Sequence, residues 1–431
     1  MGPAFLTRYN RPMRCTALIV LILATASIAQ NAPKPAPRPE PKSVTVPFTL
    51  DHNRIIIEVS VPLSDGTMQN TRAWIDNGNP ELRLSQRLAK AMGLTLACAA
   101  QECGTPTPLP DILIGGMTLP LAPGSPIHPG TVSAGFPGLP AEISIPSTIL
   151  RNYDVLIDFP EHEFTIAQPG TLKFNGVAAK VSVNPANGLI QVPSQIANKK
   201  YNLALDLGSS ISFLSAELFD KLSAAHPDWP HMTGAVGPAN MRGSDDEPNS
   251  KLMRLDRVQY GPLYLTNLPF VSLDAAEQAS FGRRWASPTI GLLGSEALLN
   301  YRVGIDYAHS TIHFDIGRMF NAPDFDVIGL ILRPEDDGRF TILGIADFEG
   351  KPSVPAGADG VQPGDHLVVI DNIPVAGASM GQVWSRLAGE PGKEHRLTVE
   401  RNGKQFTVVA KVQHFLGATN EDGGKKESRK Q

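Results

Sequence analysis

Apolar residues fall at every second position in "STILRNYDVLIDFPEHEFTIA", which begins at Ser147, and again in "SEALLNYRVGIDYAHSTIHFD", which begins at Ser295. A period of two places successive side chains on opposite faces, so each stretch predicts a short helical turn, a strand, a tight turn and a second strand. The two stretches match at an offset of 148: Asn152 with Asn300, Tyr153 with Tyr301, Val155 with Val303, Ile157 with Ile305 and Asp158 with Asp306. The repeat extends upstream. "WIDNGNPELRLSQRLAKAMGL" and "LALDLGSSISFLSAELFDKL" each read as a strand ending in Asp-x-Gly, a short apolar stretch, a capping serine (Ser85, Ser215) and an amphipathic helix. "DILIGGMTLPL" and "VQYGPLYLTNLPF" read as Gly-punctuated hairpins. The pattern predicts a mainly β chain with two lobes of similar design, 44–170 and 171–318.

The N-terminal pattern is different. Arg8, Arg11 and Arg14 precede the apolar run "ALIVLILATASIA", and small residues follow at Ala24, Ala26, Ser27 and Ala29. A positive flank, a short apolar core and a small-residue cleavage site predict a secretory signal over 1–29. A membrane span needs about 20 apolar residues, so an uncleaved anchor is the lesser alternative. "NAPKPAPRPEPKS" carries proline at every second position from Pro33 to Pro41, which predicts an extended tether over 30–43. The last stretch, 416–431, is polar and basic and reads as a disordered tail.

Composition adds little except by exclusion. The 431 residues carry a formal net charge of −4 and no basic patch, which gives no reason to expect a nucleic-acid partner. Cys15 would leave with the signal, and in an oxidising compartment Cys98 and Cys103 are expected to close a small disulfide loop. His309 and His313 stand four apart on a predicted strand, with no third ligand near, so they read as surface histidines. No metal or other cofactor is expected, and no nucleophile elbow or phosphate-binding loop is present.

Each lobe therefore contributes one aspartate, Asp76 in "AWIDNGNPELRLS" and Asp206 in "LALDLGSS". Asp-Asn-Gly alone can be a plain turn. Two carboxyls held close together, however, share one proton. The ionised member can then take a proton from water while the protonated member donates to a carbonyl. Across 44–318 the chain resembles the two-lobed, single-chain form of the retropepsin-like and pepsin-like aspartic proteases, in their bacterial branch. The resemblance implies two pseudo-symmetric aspartic-protease-like β lobes and a polypeptide substrate. It also implies a catalytic pair Asp76 and Asp206, with Gly78, Gly208, Ser209 and Gly294 in the active-site loops.

Some positions depart from that family's pattern. Leu207 replaces the usual hydroxyl residue that ties the two loops together, and Asn77 stands in the corresponding place of the first lobe. Gly294 aligns with Pro146, which lacks a backbone donor, so the supporting loop of the first lobe is not expected to be built in the usual way. "HMTGAVGPANMRGSDDEPNS" is long and Gly-rich enough to be a covering flap.

After 318 comes "DGVQPGDHLVVIDNIPVAG" and then "GQVWSRLAGEPGKEHRLTVERNGKQFTVVAKV". The Pro-Gly-Asp before an apolar strand, the Asp371-Asn372 turn, the helix and two final strands resemble a bacterial PDZ domain over 324–415. The resemblance implies peptide binding by strand addition, with the carboxylate loop at Gly329, Leu330 and Ile331. Two alternatives stay open to an exported aspartic-type endopeptidase: a non-catalytic peptide-binding protein on the same scaffold, and a homodimer using Asp206 alone. Oligomeric state is not encoded in any visible pattern.

Overall fold

Alternating runs become paired strands, and the fold is mainly β. The structure is a computed structural model that describes residues 40–94, 98–99, 102–103, 111–120, 127–129, 139–273, 275–285, 288–317, 324–335 and 337–417. The expected signal, most of the tether and nearly all of the tail lie outside the described residues. Among the described residues no helix is long and apolar enough to cross a membrane.

Three antiparallel strands, Ser43–Asp51, Arg54–Pro62 and Met68–Asp76, lead the chain to the first aspartate. Strand Ile143–Pro146 lies parallel to the last of these and brings Pro146 opposite Asp76. The second aspartate is reached in the same way. Strand Lys199–Leu205 runs into it, and Gly291–Leu293 lies parallel with Leu293 opposite Leu205. Cys98 faces Cys103 across a short antiparallel ladder. Their side chains, and with them the expected disulfide, lie outside the described residues.

The repeated stretches pair with each other. Strand Asp154–Asp158 is antiparallel to Tyr301–Asp306, with Val155 opposite Ile305 and Ile157 opposite Val303. Equivalent residues of the two copies thus exchange partners about a local twofold between the strands. This pair lies inside a 13-stranded sheet, while an 8-stranded sheet holds Lys199–Leu205, Ser212–Ser215 and the long hairpin Lys251–Tyr260/Leu263–Leu273. Both predicted serine caps are in place: Ser85 Oγ accepts from Leu88 N at 3.0 Å, and Ser215 Oγ from Leu218 N at 3.4 Å. Each satisfies a donor that a helix start leaves without a partner.

Residues beyond 324 form a 6-stranded sheet crossed by helix Met380–Leu387. Asp365 earns its place after Pro363-Gly364 by accepting from Gln362 N at 2.8 Å and from two nitrogens of Arg401 at 2.7 Å. Asp371 and Asn372 both have positive φ, the geometry of a two-residue hairpin turn. This sheet does not keep a private core. Ile331, Leu332, Trp384 and Leu387 belong to one buried cluster with Ile211, Phe213, Val236 and Leu292.

Two sequence expectations change here. Residues 231–250, expected to form a covering flap, are packed down from 234 onward. Two short 3-10 turns, Gly237–Ala239 and Glu247–Asn249, press Ala235, Val236, Ala239 and Met241 into that shared core. Apolar residues spaced among the glycines drive this burial, which the glycine content hid. His309 and His313 do not share a strand face. His309 sits in the turn, bonded through Nδ1 to Asp306, while His313 on the strand stacks on Phe174 with ring centres 5.1 Å apart.

Candidate active site

Asp76 and Asp206 end their strands at loops that face one another, and both are buried at 4% and 8% exposure. The approach is close enough to demand glycine. A Cβ on Gly208 would lie 2.5 Å from Asp76 Oδ1, and one on Gly78 would overlap the Asp206 carboxyl. Asp206 Oδ1 accepts from Gly208 N at 3.0 Å and Ser209 N at 3.1 Å. Asp76 takes a side-chain hydrogen bond from Asn79.

Burial raises the pKa of Asp76, and the neighbouring Asp206 carboxyl raises it further; Arg83, Asn79 and Arg284 oppose the shift. Burial likewise raises Asp206, against the Gly208 and Ser209 amides and Arg284. Asp76 and Asp206 titrate as one unit, so the site retains a proton well above the ordinary carboxylate range of about 3.9.

The loops are tied in a way the sequence did not suggest. Asn77, 1% exposed, donates from Nδ2 to Leu205 O at 3.0 Å and accepts at Oδ1 from Leu207 N at 2.7 Å. One amide from the first loop thus clasps both main-chain groups at the base of the second. Leu207 is fully buried and gives no return bond from its side chain. An amide carries donor and acceptor together, and that property was the available signal.

The proline changes less than expected. Ser147, the next residue, donates its N–H to Asn79 O at 2.9 Å, as Ser295 does to Ser209 O at 2.9 Å. Gly294 N also bonds Ser212 Oγ at 3.1 Å. In the first loop that bond is missing at both ends, because Pro146 has no donor and Leu82 stands where Ser212 stands. Gly294 itself is required sterically, since a Cβ would strike the backbone of Ile211. Ser209 Oγ donates to Ile211 O at 2.7 Å and holds its own loop.

The expected carboxylate loop is packed and already bonded within the chain. Gly329 packs against Ser353 and Phe415, and Leu330 and Ile331 are buried. Leu330 N already donates to Ile328 O at 2.8 Å. Among the described residues no cluster of His, Cys, Asp and Glu could hold a metal ion. Cavities of about 620 and 650 Å³ lie elsewhere, the first around Gln195 and Tyr201 and the second around Asp51 and Ser379.

No family model matches the chain, and no curated protein does. A solved structure, the aspartic proteinase from Irpex lacteus, is similar over 65% of this chain and 99% of that chain, at 12% identity and a TM-score of 0.43. The likeness is distant and partial, and the site residues stand on their own geometry.

Proposed function

We propose that the protein is an exported aspartic-type endopeptidase, two-lobed over 44–318, in which Asp76 and Asp206 activate one water. The observation that carries this reading is the mutual approach of two buried carboxyls across loops that tolerate only glycine. The shared proton makes the pair acid and base together. The ionised carboxyl takes a proton from water as its oxygen bonds to the scissile carbonyl carbon, and the protonated carboxyl donates to the carbonyl oxygen. Collapse of the resulting diol breaks the C–N bond, with a proton delivered to the departing amine. Export rests on the N-terminal pattern.

In the same reading 324–415 is PDZ-like and would recruit polypeptide. A peptide strand could reach the Leu330–Pro334 edge only once Asn240 had left Leu332. A homodimer using Asp206 alone is disfavoured by Gly78, which fills the position beside Asp206 that a second copy would need. A peptide-binding protein without chemistry remains the rival, favoured by Leu207 and Pro146. The test is calorimetric titration with a peptide whose scissile carbonyl is replaced by a secondary alcohol. Tight binding to wild type, weakened at least a hundredfold in both Asp76→Asn and Asp206→Asn, is expected. Equal binding by all three would favour the rival.

A further inference from the structure

Among the described residues, strand Leu330–Pro334 pairs on one side only, with Phe340–Ile345. At such an edge the outward N–H and C=O groups await a partner strand. At Leu332 they have one. Asn240, fully buried, accepts at Oδ1 from Leu332 N at 2.9 Å and donates from Nδ2 to Leu332 O at 3.0 Å. A side-chain amide thus makes the pair of bonds that a bound peptide residue would make. Its Nδ2 also donates to the buried Glu247 at 2.8 Å, and Glu247 accepts from Arg242 N and Ser244 N, which fixes the turn.

The main chain of this segment faces the catalytic loops. His52 Nε2 bonds Asn240 O at 3.0 Å, and Arg54 Nη2 donates to Met241 O at 2.8 Å. Arg54 Nε donates to Ser210 Oγ at 3.0 Å, and Asn53 Nδ2 to Ser210 O at 3.2 Å. Met241 Sδ lies 3.6 Å from Ser209 Oγ, and Ser209 N donates to Asp206. Asp51, one turn position earlier, accepts from Ser379 at the start of helix Met380–Leu387. The turn 51–54 therefore joins three parts of the chain, and Arg54 is 1% exposed within it.

We infer that Asn240 is a positioning residue for the proposed reaction: it occupies the peptide-accepting edge at Leu332 from within the chain and so holds Met241, Arg54 and the Ser209–Ser210 loop against the Asp76–Asp206 pair. This inference rests on the aspartic endopeptidase reading. The C-terminal sheet serves as an anchor for the catalytic loops, and its edge is closed to outside peptides in the resting protein. Arg54 is the charged member of the relay. It faces Asp51, His52, Glu247 and Asp76, while Asp76 is faced in turn by Asp206, Arg83 and Arg284.

The test compares wild type with Asn240→Ala and with Asn240→Asp, which keeps the shape and the acceptor. Hydrogen exchange at the Leu332 amide reads the edge, kcat and KM on a cleaved peptide read the coupling, and carboxyl-carbon NMR titration reads the Asp pair without turnover. Asn240→Ala is expected to raise Leu332 exchange at least a hundredfold and to lower kcat at least tenfold with KM within twofold. As Arg54 drifts from Asp76, less positive charge opposes protonation, so both limbs of the kcat profile and the carboxyl titration move to higher pH. Asn240→Asp keeps the acceptor for Leu332 N but sets a carboxyl oxygen against Glu247 and Leu332 O, so it is expected to raise Leu332 exchange at least as much as Asn240→Ala. Faster exchange with an unmoved pH profile and titration would overturn the coupling. Unchanged exchange in Asn240→Ala, or wild-type binding of a free peptide at Leu332 with Asn240 still in place, would overturn the occupied edge. If folded wild type cleaves nothing, the endopeptidase reading fails, and with it the catalytic part of this inference; the exchange measurement still decides the edge.

Discussion

At the scale of single residues, Asn77 shows how far a motif can mislead. Scored against a family pattern it is a departure, yet its amide supplies both bonds that join the loops. Asn77→Ala leaves a buried N–H and C=O without partners, a cost of about 1–3 kcal/mol for each such group. Thermal unfolding should show a loss of several degrees, whereas an unchanged Tm would mean the clasp contributes nothing. The aspartates make a separate prediction about pH. Their folded pKa values lie above the unfolded ones, so the folded state binds more protons between the two. Stability from these groups is complete below about pH 3.9 and falls as pH rises through the folded values. Asp206→Asn removes that penalty while its side-chain oxygen can still accept from Gly208 and Ser209. Its Tm should exceed that of wild type at pH 7 and converge with it near pH 3.5. A lower Tm at pH 7 would contradict burial as the leading cause.

At the scale of elements, the parts most legible in the sequence were those with strict period or strict turn chemistry. The offset between the Asn152 and Asn300 stretches announced strands that prove to pair with each other. Ser85 and Ser215 marked helix starts, and Asp371-Asn372 marked a hairpin. What stayed hidden were contacts between residues far apart along the chain. Nothing in "HMTGAVGPANMRGSDDEPNS" tells Asn240 to seek Leu332, and nothing in the turn 51–54 assigns Arg54 to Ser210. The facing glycines were legible as motifs, but their reason is the approach of the opposite carboxyl. Gly78→Ala should therefore abolish peptide cleavage, by at least a hundredfold, because the new methyl occupies the Asp206 carboxyl position. Wild-type turnover in Gly78→Ala would mean the loops do not meet this closely.

At the scale of the molecule, the 6-stranded sheet after residue 324 shares a buried cluster with the strands around Ile211 and Leu292. Each Leu- or Phe-sized side chain in such a cluster contributes about 1.5–3 kcal/mol by leaving water. Ending the chain before residue 324 would expose Phe213, Ala235, Val236 and Met241 together, and the truncated protein should aggregate or lose cooperative folding. Scanning calorimetry of the full chain should give one main transition. Two well-separated transitions, with the shorter chain retaining one of them, would show that the regions fold independently.

The most direct measurement on the proposed chemistry is peptide cleavage across pH 3 to 8 by wild type, Asp76→Asn and Asp206→Asn, each first shown to be folded. Cleavage by wild type that is lost in both variants is the expected result, because one shared proton needs both carboxyls. Loss in Asp206→Asn alone, or no cleavage of a broad peptide library by folded wild type, would contradict it.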